Sequence, residues 1–565
     1  MSKAHVILPR ALPVLAVVLV LGGAAACSDD DGDPGADAGA DALPDTAVVD
    51  AGIDAGPDAE VVVGHCEGLG LPERAFVGST EDASLYSRVQ DITIPTTEGD
   101  VVLSQMWTGC DVYLFIPDHP RQNSGWPIGI WERDVEELFE RLPRNTHVFF
   151  ASMNEFPSSI VTSLETIQDG VAAALLALGQ PDYDWWIDRV HYVTVSAKAL
   201  EGGLGDLMDY PGWGLGIDRL QRIRYLGSYA DLTRLDTSMG WYAPNLSMAA
   251  NEAIYYNFEA LREDQLAAQN ATVIPILTGE LVPDATSSDH RTTVDIDLPD
   301  AATMAGFDTM TLDLHLGCQG GDEYGDCPAW DYIVNLYLCD EGDPTQCATE
   351  VGRWITTYHR EGRWVHDVSA LLPLIATGGT RRFAFYSQQP YHAYLDLRLS
   401  HQAKPTRPAE VHYLFSGGTF NATYNDAYDP AVVHIPADAA KVELATVITG
   451  HGMESPGNCA EFCNTTHHFT VDTVENTLDF NPWVNIQTGC MDQVDQGTVP
   501  NQYGTWWYGR SGWCPGKEVP MVMTDITAQV TPGADATITY HGYYLGSDYT
   551  GSAAIRMTSW LVVSK

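Results

Sequence analysis

Residues 310–316 read Met310-Thr-Leu-Asp-Leu-His-Leu316, and apolar side chains occupy every second position. This alternation is typical of an antiparallel strand that has one face in a core and the other toward polar surroundings. The pattern recurs along the second half of the chain, and turns rich in Gly, Asp, Pro and Asn separate the copies. Copies before residue 405 lie at 292–298, 332–338, 382–386 and 394–399.

A second set of alternating runs follows a proline-containing break at Pro405–Pro408. Clear members of this set include 411–415, 441–449, 468–471 and 537–540. Two successive sets of about eight short strands predict two adjacent jelly-roll domains, each a β-sandwich. We assign residues 276–405 to the first domain and residues 406–565 to the second.

Residues 65–275 are predicted to form an α/β domain. Runs 100–106, 111–116 and 146–152 have the composition of strands, and runs 133–142 and 163–178 have helical periodicity. Strand, helix and strand at this spacing predict a parallel βαβ unit. A thioredoxin-like fold is compatible with this order, but Cys110 has no resolving cysteine beside it. We therefore expect Cys110 to pair with Cys66, and the function of this domain stays open.

The first 27 residues resemble a bacterial lipoprotein signal. Lys3 and Arg10 precede the apolar run 11–21, and small residues lead to Cys27. The resemblance implies cleavage before Cys27 and lipidation of that cysteine, with Ser28 favouring the outer membrane. The alternative is ordinary cleavage after Ala26, which would release a secreted protein.

Residues 28–64 are predicted to be a disordered linker. Acidic residues occur throughout, basic residues are absent, and Gly and Pro interrupt the spacing. Repulsion between like charges extends such a segment, so it is suited to hold a folded part away from a membrane. Calcium binding is the alternative, but the aspartates do not form a loop that ends in a bidentate acid.

Charge and cysteine content narrow the functional classes. The chain has 29 Lys and Arg against 76 Asp and Glu, a formal net charge of −47, which excludes nucleic acid as an expected partner. Eleven cysteines are present, so ten remain if Cys27 is lipidated. An even number is suited to five disulfides in an exported protein.

Three motifs stand out in the β-rich half. The first is the loop 318–327 with the Trp330-Asp331 pair that follows it. The second is the segment 450–464, in which Glu461 lies midway between two cysteines. The third is the run Gly509-Arg-Ser-Gly-Trp-Cys-Pro-Gly516.

These motifs resemble those of the peptide-N-glycosidase F family, and the segments 352–358 and 364–372 resemble the strands between them. The resemblance covers roughly residues 280–560. It implies two side-by-side jelly-roll domains with the site in the cleft between them. It also implies the disulfides Cys318–Cys327, Cys459–Cys463 and Cys490–Cys514, and we expect Cys339–Cys347 as an additional local bridge.

The resemblance implies hydrolysis of the amide that joins an asparagine side chain to an N-linked glycan. The substrate would be an N-glycosylated protein or glycopeptide, and no metal or other cofactor is implied. Asp331 would be the principal catalytic carboxylate and Glu461 the second. Trp330 and Arg510 would position glycan or peptide, with Trp513 packed behind them.

Two departures from the family pattern bear on activity. Gln388 stands where the family has another catalytic-site glutamate, and Pro390 stands where it has a tryptophan. Tyr332 replaces an arginine. Because a glutamine cannot exchange a proton as a carboxylate does, the alternative function is glycan or glycopeptide binding without cleavage.

Two further alternatives remain open. Copper monooxygenases share the paired jelly-roll architecture, and histidines occur in this half, although no His-x-His pair is present. A surface adhesion protein, with the α/β domain as its working part, is the other alternative. The histidines considered as ligands are His315, His434, His451, His467 and His468.

Overall fold

A computed structural model describes residues 64–118, 130–209, 214–236, 241–283, 288–321, 323–454 and 457–565. The predicted signal segment 1–27 with Cys27, and all of the acidic linker except Gly64, lie outside these ranges. The described residues from 64 onward form one compact unit.

A seven-stranded mixed sheet forms the centre of the α/β part. Its strand order is β2-β1-β5-β4-β3-β6-β7, with β3, β4 and β5 mutually parallel. Every residue of β3 is buried, as expected for a parallel strand covered on both faces. The strands are β1 Thr93–Thr96, β2 Gly99–Val102, β3 Val112–Pro117, β4 Thr146–Ala151, β5 Val190–Val193, β6 Leu215–Ile217, β7 Ile223–Tyr225, and a separate pair, β8 Ala230–Asp236 and β9 Trp241–Pro244.

Helices cover this sheet, and the predicted βαβ unit is confirmed by β3, α3 and β4. Helix α4 is long and apolar enough to cross a membrane by length and composition alone. One of its faces, with Ile160, Leu164 and Ile167, is buried in the same cluster as β3 and β4, which is typical of a core helix. The helices are α1 His65–Gly68, α2 Leu103–Met106, α3 Val135–Arg141, α4 Pro157–Leu178, α5 Gln180–Trp186, α6 Leu204–Asp209 and α7 Ala249–Ala268.

The strand predicted over residues 100–106 is only half correct. Strand β2 ends at Val102, where its pairing with Thr93 of β1 ends. Residues 103–106 form the short helix α2 instead, because the chain turns there and fully buries Leu103. The thioredoxin-like assignment stays a prediction.

Eight strands form the first sandwich as two four-stranded sheets. Their orders are β10-β17-β12-β15 and β11-β16-β13-β14, and every pairing is antiparallel. The elements are β10 Thr272–Val282, β11 Arg291–Asp300, α8 Ala301–Met304, β12 Thr309–Gly317, β13 Ile333–Cys339, β14 Cys347–Ile355, β15 Gly362–Asp367, β16 Gly378–Ser387 and β17 Tyr391–Ser400.

The second sandwich repeats this arrangement with the orders β18-β27-β20-β25 and β19-β26-β23-β24. A small hairpin, β21 and β22, is inserted beside the site. The elements are β18 Pro408–Phe420, β19 Ala431–His434, β20 Lys441–His451, β21 Met453–Glu454, β22 Asn458–Cys459, β23 Thr465–Val471, β24 Val474–Asp479, β25 Val522–Asp525, β26 Asp535–Tyr544 and β27 Ala553–Ser564.

Both sandwiches have jelly-roll connectivity. When the strands of each sandwich are counted without the inserted hairpin β21–β22, the first, eighth, third and sixth form one sheet. The second, seventh, fourth and fifth form the other. The predicted mainly β fold with two jelly-roll domains is therefore confirmed. The break at 405–408 follows the end of β17 at Ser400 and reaches the first residue of β18, Pro408.

The two sandwiches share a continuous apolar core at their junction. Trp513 and Trp560 of the second sandwich belong to the same buried cluster as Trp354 and Trp364 of the first. The indole of Trp364 also donates to the Gly516 carbonyl at 2.8 Å. This packing fixes the sandwiches side by side, so side chains from both can converge at one point.

Five disulfide bonds are present in the described part of the chain, and they join the cysteine pairs that the sequence analysis predicted. The three pairs implied by the family resemblance are present, and so are the two pairs expected from the remaining cysteines. Five disulfides indicate folding in an oxidising compartment and therefore export. The pairs are Cys66–Cys110, Cys318–Cys327, Cys339–Cys347, Cys459–Cys463 and Cys490–Cys514.

Candidate active site

The Trp330-Asp331 pair lies in the turn that leads into β13. Thr356, one residue beyond β14, forms hydrogen bonds to this turn on both sides of Asp331. Its hydroxyl donates to the Trp330 carbonyl at 3.0 Å and accepts from the Tyr332 backbone N–H at 2.8 Å. Because the backbone on each side of Asp331 is held, its carboxylate has a defined direction.

Glu461 lies in the five-residue loop closed by Cys459 and Cys463. Its backbone N–H donates to the Gly452 carbonyl at 3.0 Å, and its carbonyl accepts from the Ser511 N–H at 2.7 Å. The covalent link and these two bonds pre-organise the carboxylate. The second bond also fixes the loop to the residue that follows Arg510.

Arg510 joins the two carboxylates. Its Nε donates to Glu461 at 3.0 Å, and its Nη2 lies 3.5 Å from Asp331 Oδ2. Carbonyls of Thr505 and Tyr508 accept from Nη1 at 3.1 and 2.9 Å. The side chain has no exposed surface and lies between the rings of Phe462 and Trp513. Acids of different sandwiches are thus brought together by one buried cation.

Tyr358 is a site residue that the sequence reasoning missed. Its hydroxyl donates to Asp331 Oδ2 at 2.6 Å and accepts from Arg510 Nη2 at 3.0 Å. It ends the segment 352–358, which resembles a strand of the family but contains no residue with a predicted function. That segment was the available signal, and only the tertiary contact identifies the tyrosine.

Burial shapes the acidity of both carboxyl groups. Desolvation raises the pKa of Asp331 above its usual range, while Arg510 and the Tyr358 hydrogen bond oppose that rise. Desolvation likewise raises the pKa of Glu461; Arg510 opposes the rise and the charge of Asp331 adds to it. Two neighbouring carboxyls with raised pKa values are suited to proton exchange near neutral pH.

The two tryptophans of the site differ in their exposure to solvent. Trp330 is 62% exposed and its ring meets that of Tyr358 edge to face, with 6.5 Å between ring centroids. Trp513 is buried and donates to the Gly450 carbonyl at 2.9 Å. Trp330 therefore offers a free face to a ligand, whereas Trp513 supports Arg510 from behind.

The geometry changes the interpretation of Arg510. The family resemblance predicts that Arg510 positions glycan or peptide directly, yet its five N–H groups point to protein acceptors and its side chain is fully buried. A substrate cannot reach a guanidinium in this position without displacing those acceptors. The arrangement favours an orienting function instead.

Gln388 lies just past the end of β16, whose last residue, Ser387, pairs with Val334 of β13. This register places Gln388 at the same end of the paired strands β13 and β16 as the turn that carries Asp331. Its side chain is exposed, and its amide donates to the Tyr386 hydroxyl at 3.0 Å. Gln388 therefore takes no part in the contacts that join Asp331, Glu461 and Arg510.

The histidines of the β-rich half do not converge. His467 is buried and bonds Tyr540 at 2.8 Å, whereas His468 faces the other side of β23 and lies 3.1 Å from Glu475. His451 stacks on Trp513. Within the described ranges, the group with metal-ligand spacing is His65, Cys110 and Asp111 in the α/β part, where the cysteine is disulfide-bonded. The described histidines therefore give no support to the copper alternative.

Comparison with known proteins adds to this geometry. Residues 419–562 match the family model described as "Peptide-N-glycosidase F, C terminal". The chain is 24% identical over 265 residues to peptide-N(4)-(N-acetyl-beta-D-glucosaminyl)asparagine amidase F of Elizabethkingia miricola, an alignment that covers 42% of this chain and 70% of that relative.

Two solved structures are similar to part of the chain. A crystal structure of peptide-N(4)-(N-acetyl-beta-D-glucosaminyl)asparagine amidase is 19% identical, with 52% of this chain and 96% of that chain covered and a TM-score of 0.43. PNGase F from Flavobacterium meningosepticum is 18% identical with the same coverage and a TM-score of 0.42. Residues 419–562 are thus similar to the C-terminal part of peptide-N-glycosidase F, the family that the sequence motifs indicated.

Proposed function

We propose that this protein hydrolyses the amide bond between an asparagine side chain and an N-linked glycan. One observation carries the proposal: Asp331 of the first sandwich and Glu461 of the second both bond the buried Arg510. The similarity to the asparagine amidase of Elizabethkingia miricola, at 24% identity, supports the same reaction.

Asp331 is the general base in this proposal. Tyr358 and Arg510 both approach its Oδ2, so the water would be held at Oδ1. The water oxygen attacks the amide carbon of the glycosylated asparagine, and its proton passes to the carboxylate. Because burial raises the pKa of Asp331, this carboxylate is a stronger base than an exposed aspartate.

Glu461 assists the leaving group. In its protonated form it delivers a proton, directly or through water, to the amide nitrogen as the C–N bond breaks. The products are an aspartate-containing peptide and a glycosylamine. Arg510 and Tyr358 fix the positions of the two carboxyl groups relative to each other, so that the general base and the general acid act on one amide.

The exposed face of Trp330 is proposed to stack on a sugar ring near the cleaved bond, since an aromatic face suits the apolar face of a sugar. The substrate would be an N-glycoprotein or glycopeptide outside the cell. Lipidation of Cys27 with the acidic segment 28–64 as a spacer would hold the catalytic part away from the outer membrane.

A second candidate function is glycopeptide binding without cleavage. Gln388 supports it, because this position carries an exposed amide rather than a carboxylate. Both functions use the same cleft, and they differ in whether the amide is broken.

A glycopeptide assay separates the two. Residues 64–565 would be incubated with an N-glycopeptide, and mass spectrometry would follow conversion of asparagine to aspartate. Conversion that is lost in Asp331→Asn and retained in Asp295→Asn, an exposed carboxylate paired with Arg382, supports hydrolysis. Tight binding without conversion in the unchanged protein would replace hydrolysis by the binding function.

A further inference from the structure

The loop 500–503 of the second sandwich is fastened to the α/β domain by Asn501. This side chain is fully buried. Its amide nitrogen lies 3.0 Å from the Leu226 and Met248 carbonyls and 2.9 Å from Glu252 Oε1. The Asn501 carbonyl accepts from the Ser228 N–H at 3.1 Å. Three elements of the α/β domain thus converge on one residue.

Arg360 of the first sandwich makes a second attachment. Its guanidinium is 1% exposed and forms a bidentate pair with Glu252 of α7 at 2.8 and 3.0 Å. It also bonds Glu323 at 2.8 Å and the Pro500 carbonyl. Glu323 in turn accepts from Arg224 of β7 at 2.6 Å. Because these charges are buried, loss of one partner leaves another charge uncompensated.

Both attachments, at Asn501 and at Arg360, lie next to residues that contact or flank Tyr358. It lies two residues before Arg360, and its backbone N–H donates to Gln502 Oε1 at 2.7 Å. Its carbonyl accepts from the Tyr503 N–H at 3.2 Å. The ring belongs to the same buried cluster as Tyr256 of α7. The backbone and ring of Tyr358 are therefore set by residues that the α/β domain holds in place.

We infer that the α/β domain positions the proposed general base: Asn501 and Arg360 hold the Tyr358 segment, and Tyr358 orients Asp331. This inference rests on the proposed function for its catalytic readout. It assigns a task to residues 65–275, which lie before the family match. Asn501 and Arg360 are positioning residues, since their effect on Asp331 passes through Tyr358.

Two variants test the inference in the full chain. Asn501 has φ of 49°, a left-handed conformation that glycine adopts freely, so Asn501→Gly removes the amide and leaves the backbone unstrained. Arg360→Lys keeps the charge and loses the bidentate geometry. Glu263→Gln is the control, because Glu263 of α7 bonds Arg363 across the same junction at 2.7 Å without leading to Tyr358.

The first readout is the titration of Asp331, followed by NMR of carbon-13-labelled aspartate and assigned by the signal missing in Asp331→Asn. Tyr358 lowers the pKa of Asp331, so a displaced hydroxyl raises it. We expect an upward shift in Asn501→Gly and Arg360→Lys, in the direction of Tyr358→Phe, and none in Glu263→Gln. Thermal unfolding checks that each variant is folded, and either folded variant decides the question.

The second readout is glycopeptide hydrolysis, in which kcat should fall about tenfold in both variants with KM unchanged, as expected for a misplaced base. An Asp331 titration equal to that of the control in every variant that folds, even if only one of them folds, would overturn the inference. If the unchanged protein does not cleave glycopeptides, the proposed function fails, and the titration alone still decides the task of the α/β domain.

Discussion

Replacing Arg510 by methionine is the sharpest perturbation of the site. Methionine fills a similar length with apolar atoms, so packing between Phe462 and Trp513 is largely kept while the charge is lost. Asp331 and Glu461 are then left in a desolvated cleft without their shared cation. We expect this variant to lose both stability and activity.

The magnitude follows from burial. Arg510 is fully buried, and the side chains of Asp331 and Glu461 are 17% and 12% exposed. Removing one member of a buried ion pair costs about 3–5 kcal/mol, because the remaining charge is uncompensated. Loss of an exposed pair such as Arg382–Asp295 costs far less, because solvent screens both charges. Arg382→Met is therefore the matched control.

The stability loss should depend on pH. Arg510 lowers the pKa of both Asp331 and Glu461, so its removal raises both further above their usual values. The folded variant then binds more protons than the unfolded chain, and its stability falls as pH rises through the raised pKa values. Below about pH 4, where the unfolded carboxyls are protonated as well, this contribution to the deficit disappears.

Urea unfolding followed by tryptophan fluorescence at pH 5 and pH 8 measures the effect. We expect Arg510→Met to unfold at lower urea than the unchanged protein at both pH values, with the larger difference at pH 8. An Arg510→Met deficit no larger than that of Arg382→Met, or one that is the same at both pH values, would refute the assignment of Arg510 as the shared counter-ion.

Three further predictions concern neighbouring groups. Tyr358→Phe removes the donor to Asp331, so the acidic limb of the kcat–pH profile should move to higher pH and kcat should fall; an unmoved limb contradicts the hydrogen bond. Changing Cys459 and Cys463 to serine should cost about 2 kcal/mol in calorimetry and lower kcat, since the Glu461 loop is no longer closed. Trp330→Ala should raise KM without moving the thermal midpoint, because most of the ring is solvent-exposed.

Much of the β architecture was predictable from alternation alone. Strand β23 is buried at every second residue, and β17 nearly so, as expected for half-buried antiparallel strands. The prediction over residues 100–106 failed at its end because the edge hairpin is short, and the burial of Leu103 outweighs the strand-like composition.

The site was predictable only where a motif carries it. Asp331 and Glu461 stand in unusual cysteine-bounded contexts, which made them recognisable. The donor to Asp331 is Tyr358, 27 residues away, and no local spacing connects the two. The burial of Arg510 was also invisible in the sequence, so its contact with protein acceptors rather than substrate emerges only from packing.

The junction with the α/β domain could not be predicted at all. Glu252 meets Arg360 across 108 residues and Asn501 across 249. Charged residues are mostly exposed in folded proteins. Nothing in the sequence therefore distinguishes these residues from ordinary surface groups. Their burial is a product of domain packing.

The most direct test of the central claim is hydrolysis of an N-glycopeptide in water enriched with heavy oxygen. Attack by water activated at Asp331 predicts that the label enters the side-chain carboxylate of the newly formed aspartate, that the released sugar first carries the amide nitrogen, and that Asp331→Asn abolishes both. An unlabelled peptide, a glycan cleaved between its sugars, or full activity in Asp331→Asn would contradict amide hydrolysis at this site.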